Sequence, residues 1–529
     1  MSSQEISAMK EATYINDSLG ATDNVTGRFQ PVSASHRPKS VEEVVQLVKS
    51  ARLSGTPLYP ASTGFNWGYG SRSPVTGDCE LIDLSGMNRI LNPERISIDN
   101  PIAIIEPGVT QIQLYEFLQS HAPDLKFNVT GSGKDTSIIG NALDRGVGYL
   151  GPRIEYIFGL EIVTGTGEIL YTGFRRLGKD SPLAYAHPFG LGPMLDGLFF
   201  QSNFGIVTSA CFRLLPKRPK EVVISLSLRG SSDLAEAINE LARLKRDGLV
   251  TSVTHIANIE KSRSILEYGI SDYLLTECGF ANDAVHEESN RIMNIFANGE
   301  WASLASVEGN ADQVKAALHE IRSRTKRFGY LKVLTSKFLN RSFTLLHHMR
   351  FLSFARGAAA VIYATRPFHN LALGIPTDAS VECLLWGVGH SSKSAVELDK
   401  SRCGLLFVSP ALPMDGQLAV EIIREMKSIA SRYHHILYVT INIETTTSLV
   451  AVTNLLFDRS SSEEINQAHR CADALLDFIH HSGLEVYRAR ADMMNKLVTA
   501  DPDYWKNIRL LKQIYDPDNI IAPGRYNLT

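Results

Sequence analysis

The apolar residues in the first part of the chain follow two spacings, one typical of helices and one typical of strands. Residues 41–53 follow Ser40, begin with glutamates at positions 42 and 43, and carry apolar side chains at helical intervals. Gly55 ends the pattern. A second helical pattern covers residues 111–120. Short apolar runs bounded by turn residues predict three strands around these helices, at residues 57–60, 80–84 and 102–109.

The same two spacings continue through the rest of the chain. Residues 159–163 and 168–172 flank a glycine-containing turn at 164–167, which predicts a strand, a tight turn and a second strand. Later in the chain, residues 221–228 predict a further strand and residues 232–246 predict a helix. Because strands and helices do not alternate in a regular βαβ repeat, the predicted fold class is α+β.

Length and one basic segment predict where the chain divides. At 529 residues the chain is too long for one ordinary hydrophobic core, so two domains are expected. Residues 217–220 are basic, contain a proline and precede a new strand, so we place the boundary between residues 218 and 219. The second domain then extends to residue 486.

Composition and charge exclude several classes of protein. Hydrophobic residues make up 44% and charged residues 21% of the chain, which is ordinary for a soluble globular protein. The net charge of −3 provides no polycationic surface, so nucleic acid is not an expected partner. The six scattered cysteines fit reduced thiols better than a disulfide framework or a zinc site. Residues 1–17 lack the apolar stretch of a secretory signal and no run approaches the roughly 18 apolar residues of a membrane helix, so a cytoplasmic location is expected.

Three common site patterns are incomplete in this chain. Residues 131–136 look like a phosphate-binding loop, but Asp135 separates Lys134 from Thr136, where the Walker pattern requires direct neighbours. No GxGxxG motif opens a helix after a strand with an acid downstream, so a Rossmann nicotinamide site has little support. Adjacent histidines diverge on any helix or strand, so we predict no metal site from the pairs at 347–348, 434–435 and 480–481.

The glycine-rich turn at residues 61–74 is the most informative segment for function. Its glycines let backbone N–H groups approach an anion, and it carries the phenol of Tyr69. About four hundred residues later, Tyr487 and Arg488 place a phenol beside a guanidinium. Together these segments predict a cofactor cradle whose far wall can hold a phenolate. The alternative is an ordinary surface loop and a structural pair at a domain junction.

Motifs spread over the chain give a specific resemblance. In the same order, they resemble those of the vanillyl-alcohol oxidase/p-cresol methylhydroxylase flavoprotein family: Gly-Tyr-Gly at 68–70, Glu-Pro-Gly-Val at 106–109, Gly-Asn-Ala-x-x-Arg-Gly-Val-Gly-Tyr at 140–149 and Asp-Gly-Leu-Phe-x-Gln-Ser-Asn-x-Gly-Ile-Val-Thr at 196–208. The order continues at 374–377, 407–410, 487–488 and 516–524. The match runs from about residue 35 to the C-terminus and is weakest between about 220 and 370.

This resemblance implies a fold and a cofactor. We expect FAD in a two-subdomain FAD-binding domain of the p-cresol methylhydroxylase (PCMH) type, covered by an α+β cap domain with an antiparallel sheet. The implied division is 1–218 for the FAD-binding domain, 219–486 for the cap and 487–529 for a segment that returns to the FAD-binding domain. The residues that the resemblance places along the cofactor are Ser62, Thr63, Gly64, Phe65, Asn66, Ser132, Ile139, Gly140, Asn141, Gly148, Ile206, Val207 and Arg525.

The chain departs from the family where several members attach FAD covalently. Leu405 aligns with a cap histidine that forms such a bond, and Asn66 lies near the position of the histidine that related families use. Neither side chain can form the bond, so we predict non-covalent FAD. Cys403, two residues from the cap position, is the one candidate that would overturn this prediction.

A second departure concerns proton transfer. Phenol-oxidising members carry an acid near the flavin shortly after the Gly-Val-Gly-Tyr motif, but no acid of this chain aligns with it. Glu155 is the nearby residue that can serve as a base if the loop shifts it toward the flavin. The alternative is that Glu155 simply faces solvent before a strand.

The resemblance implies an oxidase or dehydrogenase that takes a hydride from a para-substituted phenol or related aromatic molecule to flavin N5. Tyr69, Tyr487 and Arg488 fall where phenol-oxidising members hold a substrate phenolate. The final electron acceptor is dioxygen or another acceptor, a homo-oligomer is compatible with the family, and a tailoring step in secondary metabolism is plausible. One alternative is a flavin oxidase of an aliphatic alcohol, amine or carboxylate-bearing substrate. Another is a flavoprotein binding subunit without turnover.

Overall fold

The computed structural model describes residues 23–389 and 395–527. The N-terminal segment that lacks a secretory signal in sequence, residues 1–17, lies outside the described residues. Within the two described ranges, no helix combines the length and the apolar character that crossing a membrane would require.

A small parallel sheet begins the described chain. Its three strands lie in the order β1-β3-β2 and comprise β1 (Val32–His36), β2 (Leu58–Ala61) and β3 (Cys79–Asp83). Helix α1, Val41–Ser54, connects β1 to β2. Its first turn is capped by the Ser40 side chain, and Gly55 ends it with a left-handed φ of 71°. The first predicted helix is therefore confirmed.

The N-terminal part of the chain also forms a second sheet, which is antiparallel. Its strands lie in the order β4-β7-β5-β6 and comprise β4 (Ile102–Ile105), β5 (Ile157–Thr164), β6 (Ile169–Tyr171) and β7 (Gly205–Arg213). Two helices lie between β4 and β5 in the chain, namely α2 (Gln111–His121) and α3 (Ile138–Leu143). The predicted helix at 111–120 and the strand, turn and strand at 159–172 are thus confirmed. Shorter ladders pair Leu125–Lys126 with Leu215–Pro216 and Val147–Gly148 with Gly151–Pro152.

An eight-stranded sheet forms the centre of the cap. All of its pairings are antiparallel, in the order β11-β8-β10-β9-β14-β15-β12, with β13 beside β15. The strands are β8 (Lys220–Leu228), β9 (Thr254–Asn258), β10 (Trp301–Gly309), β11 (Gly329–Leu334), β12 (Cys403–Phe407), β13 (Ala411–Pro413), β14 (Tyr438–Ile443) and β15 (Ser448–Asp458). The antiparallel cap sheet implied by the resemblance is confirmed.

Nine helices of the described chain accompany this sheet. They are α4 (Leu234–Arg246), α5 (Ile259–Cys278), α6 (Asn282–Phe296), α7 (Ala311–Thr325), α8 (Ser336–His348), α9 (Ser353–Ala372), α10 (Ala379–Gly387), α11 (Gly416–Arg432) and α12 (Ser462–His481). Helices α4, α7, α11 and α12 contribute buried apolar residues to the same core as the sheet. The sheet and these helices therefore share one large hydrophobic core, to which Ala489, Met494 and Leu497 of the C-terminal segment also contribute.

The C-terminal segment packs on the first small sheet. It contains α13 (Met494–Ala500) and α14 (Pro502–Tyr515), followed by a bridge between Ile521 and Leu58 of β2. The buried Lys512 ammonium donates to Asp516 at 2.7 Å and to the Ile521 carbonyl at 2.8 Å. These contacts bring the last residues of the chain beside β2 and the glycine-rich turn that follows it.

Candidate active site

The glycine-rich turn after β2 folds back on itself and contacts the cap. The Asn66 carbonyl accepts hydrogen bonds from the backbone N–H of Tyr69 at 3.0 Å and of Ser71 at 3.1 Å. Gly68 has φ +74°, and a Cβ placed on it would lie 2.4 Å from the Phe407 ring at the end of β12. The turn can pack against the cap strand this closely because position 68 has no side chain.

The same turn presents free backbone donors. No backbone N–H of residues 63–66 donates a hydrogen bond to another described residue. Helix α3 approaches from the opposite side, since a Cβ on Gly140 would lie 2.2 Å from Ser62 Oγ. The Ser137 hydroxyl accepts from Gly140 N at 2.9 Å and so holds the start of α3 in this position.

A cleft that opens to solvent runs between these segments. Eleven of the thirteen residues predicted to lie along the cofactor line it: Ser62, Thr63, Gly64, Phe65, Asn66, Ile139, Gly140, Asn141, Ile206, Val207 and Arg525. Ser132 and Gly148 do not line it. Ser132 hydrogen-bonds Thr130 at 2.6 Å, and a Cβ on Gly148 would lie 2.0 Å from the Asn128 side chain.

The chemistry of this lining fits FAD. The free N–H groups of residues 63–66 suit the oxygens of a diphosphate, which needs converging donors without side chains in the way. Asn141 Oδ1 and Arg488 Nε are buried and have no hydrogen-bond partner among the described residues. Since buried polar atoms in native proteins are normally paired, both atoms indicate that the cleft is built around a polar ligand.

One carboxylate joins two arginines at the end of the cleft. Asp144 accepts from Arg488 Nη2 at 2.5 Å, from Arg525 Nη2 at 2.9 Å and from Asn66 Nδ2 at 3.1 Å. Burial raises the pKa of Asp144, but the charges of Arg488 and Arg525 outweigh it and hold that pKa below its ordinary value. Asp144 is therefore ionised, and the two guanidiniums and one carboxylate leave a net charge of +1.

Tyr69, Tyr487 and Arg488 meet beside this cluster. The two tyrosine hydroxyls lie 3.5 Å apart, and Arg488 Cζ lies 4.1 Å from the centre of the Tyr69 ring. The Phe407 ring also stacks on the Tyr69 ring, with the two ring centroids 5.0 Å apart. The structure thus brings the phenol of Tyr69 beside the phenol of Tyr487 and the guanidinium of Arg488, which lie about four hundred residues later in the sequence.

Backbone hydrogen bonds position this trio. Tyr487 N donates to the Ser409 carbonyl at 3.1 Å, and Gln201 Nε2 donates to the Tyr487 carbonyl at 2.9 Å. Ala491 N donates to the Tyr69 carbonyl at 3.0 Å. Tyr487 is therefore held by Ser409 of the cap and by Gln201, which precedes β7. Tyr69 is held by Ala491 of the C-terminal segment.

Both hydroxyls of the trio remain protonated at neutral pH. Burial is the largest cause that raises the pKa of Tyr69, and the neighbouring Tyr487 adds to it while Arg488 opposes it. Burial also raises the pKa of Tyr487, again against Arg488. Each hydroxyl can therefore donate a hydrogen bond to an anion placed beside Arg488.

The structure places the remaining predicted residues away from the cleft. Glu155 is exposed on a short helical turn, Arg153–Tyr156, and does not line the cleft. Cys403 is 2% exposed in the cap, where burial raises the pKa of its thiol to about 12. Leu405 is buried in the same apolar cluster as Cys403.

Sequence patterns alone did not single out two residues of the site. Asp144 lies inside the 140–149 motif, where an acid among glycines close to an arginine-rich site was the available signal. Tyr59, whose hydroxyl accepts from Arg525 at 3.2 Å, lies in an apolar strand pattern and carried no such signal. Both line the cleft.

Comparison with known proteins supports an FAD-binding domain. Residues 32–173 match a family model described as an FAD binding domain. The chain is 31% identical over 504 residues to the 1'-carboxy-chondrochloren decarboxylase of Chondromyces crocatus, covering 93% of this chain and 89% of that protein. It is 26% identical over 505 residues to the 4-cresol dehydrogenase (hydroxylating) flavoprotein subunit of Pseudomonas putida, covering 93% and 88%. The solved structure of p-cresol methylhydroxylase with substrate bound matches with a TM-score of 0.78 at 23% identity, covering 100% of this chain and 98% of that one.

These matches extend over nearly the whole chain, so they apply to the cap as well as to the FAD-binding domain. The PCMH-type fold and the FAD cofactor that the sequence motifs implied are both confirmed. The chain therefore belongs to the vanillyl-alcohol oxidase/p-cresol methylhydroxylase family of FAD-linked oxidoreductases.

Proposed function

We propose that this protein oxidises a para-substituted phenol, which loses a hydride from its benzylic carbon. The observation that carries the proposal is the meeting of Tyr69, Tyr487 and Arg488 beside the cofactor cleft. Arg488 supplies positive charge, and the two hydroxyls supply hydrogen-bond donors for one phenolate oxygen. Phe407, stacked on Tyr69, provides an aromatic wall next to them.

The energetic demand on these residues is modest. A free phenol has a pKa of about 10, so its ionisation at pH 7 requires about 4 kcal/mol of stabilisation. One nearby guanidinium lowers the pKa of an acid by about 1–3 units, and two charge-assisted hydrogen bonds add to this. The net charge of +1 at the arginine and aspartate cluster supports the same direction.

FAD, when bound, supplies the two-electron acceptor. The residues of the chain then have two tasks: the trio binds and ionises the phenol, and the apolar wall excludes water from the ring. Ionisation pushes electron density toward the para carbon and so eases departure of the benzylic hydride. The product at that stage is a quinone methide, which adds water, loses a side-chain proton or is trapped internally.

We further propose that FAD is bound without a covalent link. Leu405 cannot form such a bond, and the Cys403 thiol is buried among apolar side chains with a raised pKa. Because the thiolate is the reactive form of cysteine, burial that disfavours the thiolate also disfavours attachment through Cys403. The turn at 63–66 and Arg525 would hold the cofactor instead.

A second candidate substrate is suggested by the relative from Chondromyces crocatus, which is named as a decarboxylase. This second candidate substrate is a para-substituted phenol whose side chain carries a carboxylate on the carbon next to the benzylic carbon. After two-electron oxidation at the benzylic carbon, the bond to the carboxylate breaks and releases CO₂. The electron pair of the broken carbon–carboxylate bond forms the side-chain double bond and restores the aromatic phenolate, so the decarboxylation requires no base. This fits the lack of an aligned acid after residue 149.

Anaerobic flavin reduction with a matched panel tests the proposal. The panel contains 4-ethylphenol, its methyl ether, 3-(4-hydroxyphenyl)propanoate and an aliphatic 2-hydroxy acid. We expect bleaching with the phenols, and release of CO₂ from the propanoate would favour the second candidate. Bleaching with the hydroxy acid alone would contradict the phenol assignment. No bleaching with any compound would favour a binding subunit without turnover.

Substitutions within the trio test its role. Arg488→Lys and Tyr487→Phe should slow flavin reduction by phenols about 10- to 100-fold at pH 7. The reason is that each variant would lower the pKa of the bound phenol by about one to two units less than the wild type does. The matched controls Arg432→Lys and Tyr504→Phe, both at exposed positions, should leave the rate unchanged. Equal losses with phenols and with any active non-phenol would refute the phenolate grip.

A further inference from the structure

Helix α8 of the cap and the turn that follows it expose a group of large apolar side chains. Six such residues lie within residues 338–354, each between 38% and 76% exposed: Phe338, Leu345, Met349, Phe351, Leu352 and Phe354. Soluble proteins rarely expose so many large apolar side chains close together unless that surface contacts a partner. We call residues 337–354 the α8 patch.

The opposite face of α8 is anchored in the cap. Leu339 is buried, and Phe343 packs on an apolar cluster that helices α5, α6 and α9 form. Phe338, Arg341 and Leu345 are three or four residues apart, so they lie side by side along the other face of the helix. All three are exposed, and this face of α8 is therefore available to a partner.

Backbone hydrogen bonds close the turn between α8 and α9. Leu352 N donates to the Met349 carbonyl at 2.9 Å, and Arg356 N donates to the Leu352 carbonyl at 2.9 Å. Phe351 lies inside this turn and is the most exposed of the six apolar residues. The turn thus presents Phe351 and Leu352 next to the exposed face of α8.

Positive charge accompanies these apolar side chains. The chain has no aspartate or glutamate in residues 321–377, a segment that contains ten lysines and arginines. Lys337, Arg341 and Arg350 are exposed, and none of them forms an ion pair with another residue that the structure describes, whereas Arg356 pairs with Glu288 at 2.9 Å. The net charge of −3 for the whole chain therefore conceals a cationic surface at the α8 patch.

We propose that the α8 patch docks this protein on the surface of a bilayer that contains anionic phospholipid. Aromatic and aliphatic side chains enter the boundary between headgroups and acyl chains, while lysines and arginines contact the anionic headgroups. Such contact is peripheral, and it requires no membrane-spanning helix of the kind that the described residues lack. The inference concerns the surface of the cap, so it holds or fails independently of the substrate.

Charge disfavours a second copy of the chain as the occupant of the α8 patch. In a two-fold symmetric dimer the same surface faces itself, so Lys337, Arg341 and Arg350 of the two copies would approach one another. Like charges brought together in this way oppose association, whereas anionic headgroups attract all three residues. An anionic bilayer therefore complements both the charge and the apolar character of the patch.

Sedimentation of the full-length, FAD-loaded protein with lipid vesicles tests this inference. Vesicles of phosphatidylcholine alone are compared with vesicles that also contain about 30% phosphatidylserine. We expect binding to the phosphatidylserine vesicles at about 0.05 M salt, and binding about tenfold weaker at about 0.5 M salt, because salt screens the attraction. Equal binding to both kinds of vesicle, or binding to neither, would overturn the inference.

Removal of the three charges tests the electrostatic part of the inference. A variant that combines Lys337→Gln, Arg341→Gln and Arg350→Gln should bind phosphatidylserine vesicles about 100-fold more weakly, since each basic residue near an anionic surface strengthens binding about fivefold. The matched control replaces the three basic residues of the exposed segment 217–220 by glutamine, which removes the same charge where no large apolar side chain is exposed. It should bind within about threefold of wild type. An equal loss in both variants would overturn the inference.

Removal of single apolar side chains tests insertion into the bilayer. Leu345→Ser and Phe351→Ser should each weaken vesicle binding about tenfold, because each deletes an exposed apolar group of the α8 patch. Leu191→Ser and Phe189→Ser, at exposed positions of the N-terminal domain, are the matched controls and should leave binding unchanged. Unchanged binding in both Leu345→Ser and Phe351→Ser would overturn the inference.

Light scattering after size-exclusion chromatography measures the oligomeric state of the same proteins. We expect Leu345→Ser and Phe351→Ser to have the oligomeric state of the wild type. A wild-type dimer that dissociates in these two variants would assign the α8 patch to an interface between copies and would overturn docking on a bilayer.

Discussion

Asp144→Asn is the substitution for which the structure predicts the largest loss of stability at the site. The side chain of Asp144 is 10% exposed, and those of its partners Arg488 and Arg525 are 9% and 14% exposed. Asparagine has nearly the same shape, but it has no charge and offers an amide N–H₂ to one of the guanidiniums. Two arginines would then remain buried side by side without a counter-charge.

Removal of one partner from a buried ion pair typically costs about 3–5 kcal/mol. Asp144 serves two arginines, so we expect Asp144→Asn to fall in the upper half of that range, about 4–5 kcal/mol. Urea unfolding of the FAD-free protein, followed by tryptophan fluorescence, measures this loss. The matched control is Asp518→Asn, which breaks an exposed pair with Arg52 and should cost less than about 1 kcal/mol.

The pH dependence of this loss has a definite sign. The folded-state pKa of Asp144 lies below its unfolded value of about 3.9, so its contribution is complete above about pH 4 and disappears as the pH falls through the folded pKa. The difference between wild type and Asp144→Asn should therefore be largest at neutral pH and narrow below about pH 4. A loss at pH 7 no larger than that of Asp518→Asn would refute the cluster as a source of stability.

Two further predictions concern the cofactor. Acid precipitation of the holoenzyme should leave the yellow colour in the supernatant, and colour that stays with the pellet would contradict non-covalent FAD. Gly68→Ala should weaken FAD retention and slow phenol oxidation at least tenfold, because the new Cβ would lie 2.4 Å from the Phe407 ring. Gly248→Ala is the matched control, since it has a similar φ of +71° with no atom within 4 Å, and it should change folding stability by about 1 kcal/mol without affecting phenol oxidation.

Local structure in this protein followed from local sequence. The Ser40 cap and the Gly55 stop define α1 through contacts within a few residues, and the turn at 164–167 defines the hairpin of β5 and β6 in the same way. The cofactor cleft was also predictable, because glycines that permit close backbone approach occur in three separate motifs. Eleven of the thirteen predicted residues line it.

The proton-handling groups were not predictable in this way. Glu155 was the candidate base on sequence grounds, but it is exposed and does not line the cleft. The ionised state of Asp144 depends instead on Arg488 and Arg525, which come from a distant part of the chain. No spacing rule connects these positions.

By itself, the sequence determined the α+β fold class, the family and the FAD cofactor, because each depends on short motifs whose residues act together locally. Tertiary structure alone decided how Asp144 joins Arg488 to Arg525 and how Tyr69 comes to lie beside Tyr487. The physical reason is that charge, burial and hydrogen bonding depend on distances in space, and the fold brings together side chains that are up to several hundred residues apart.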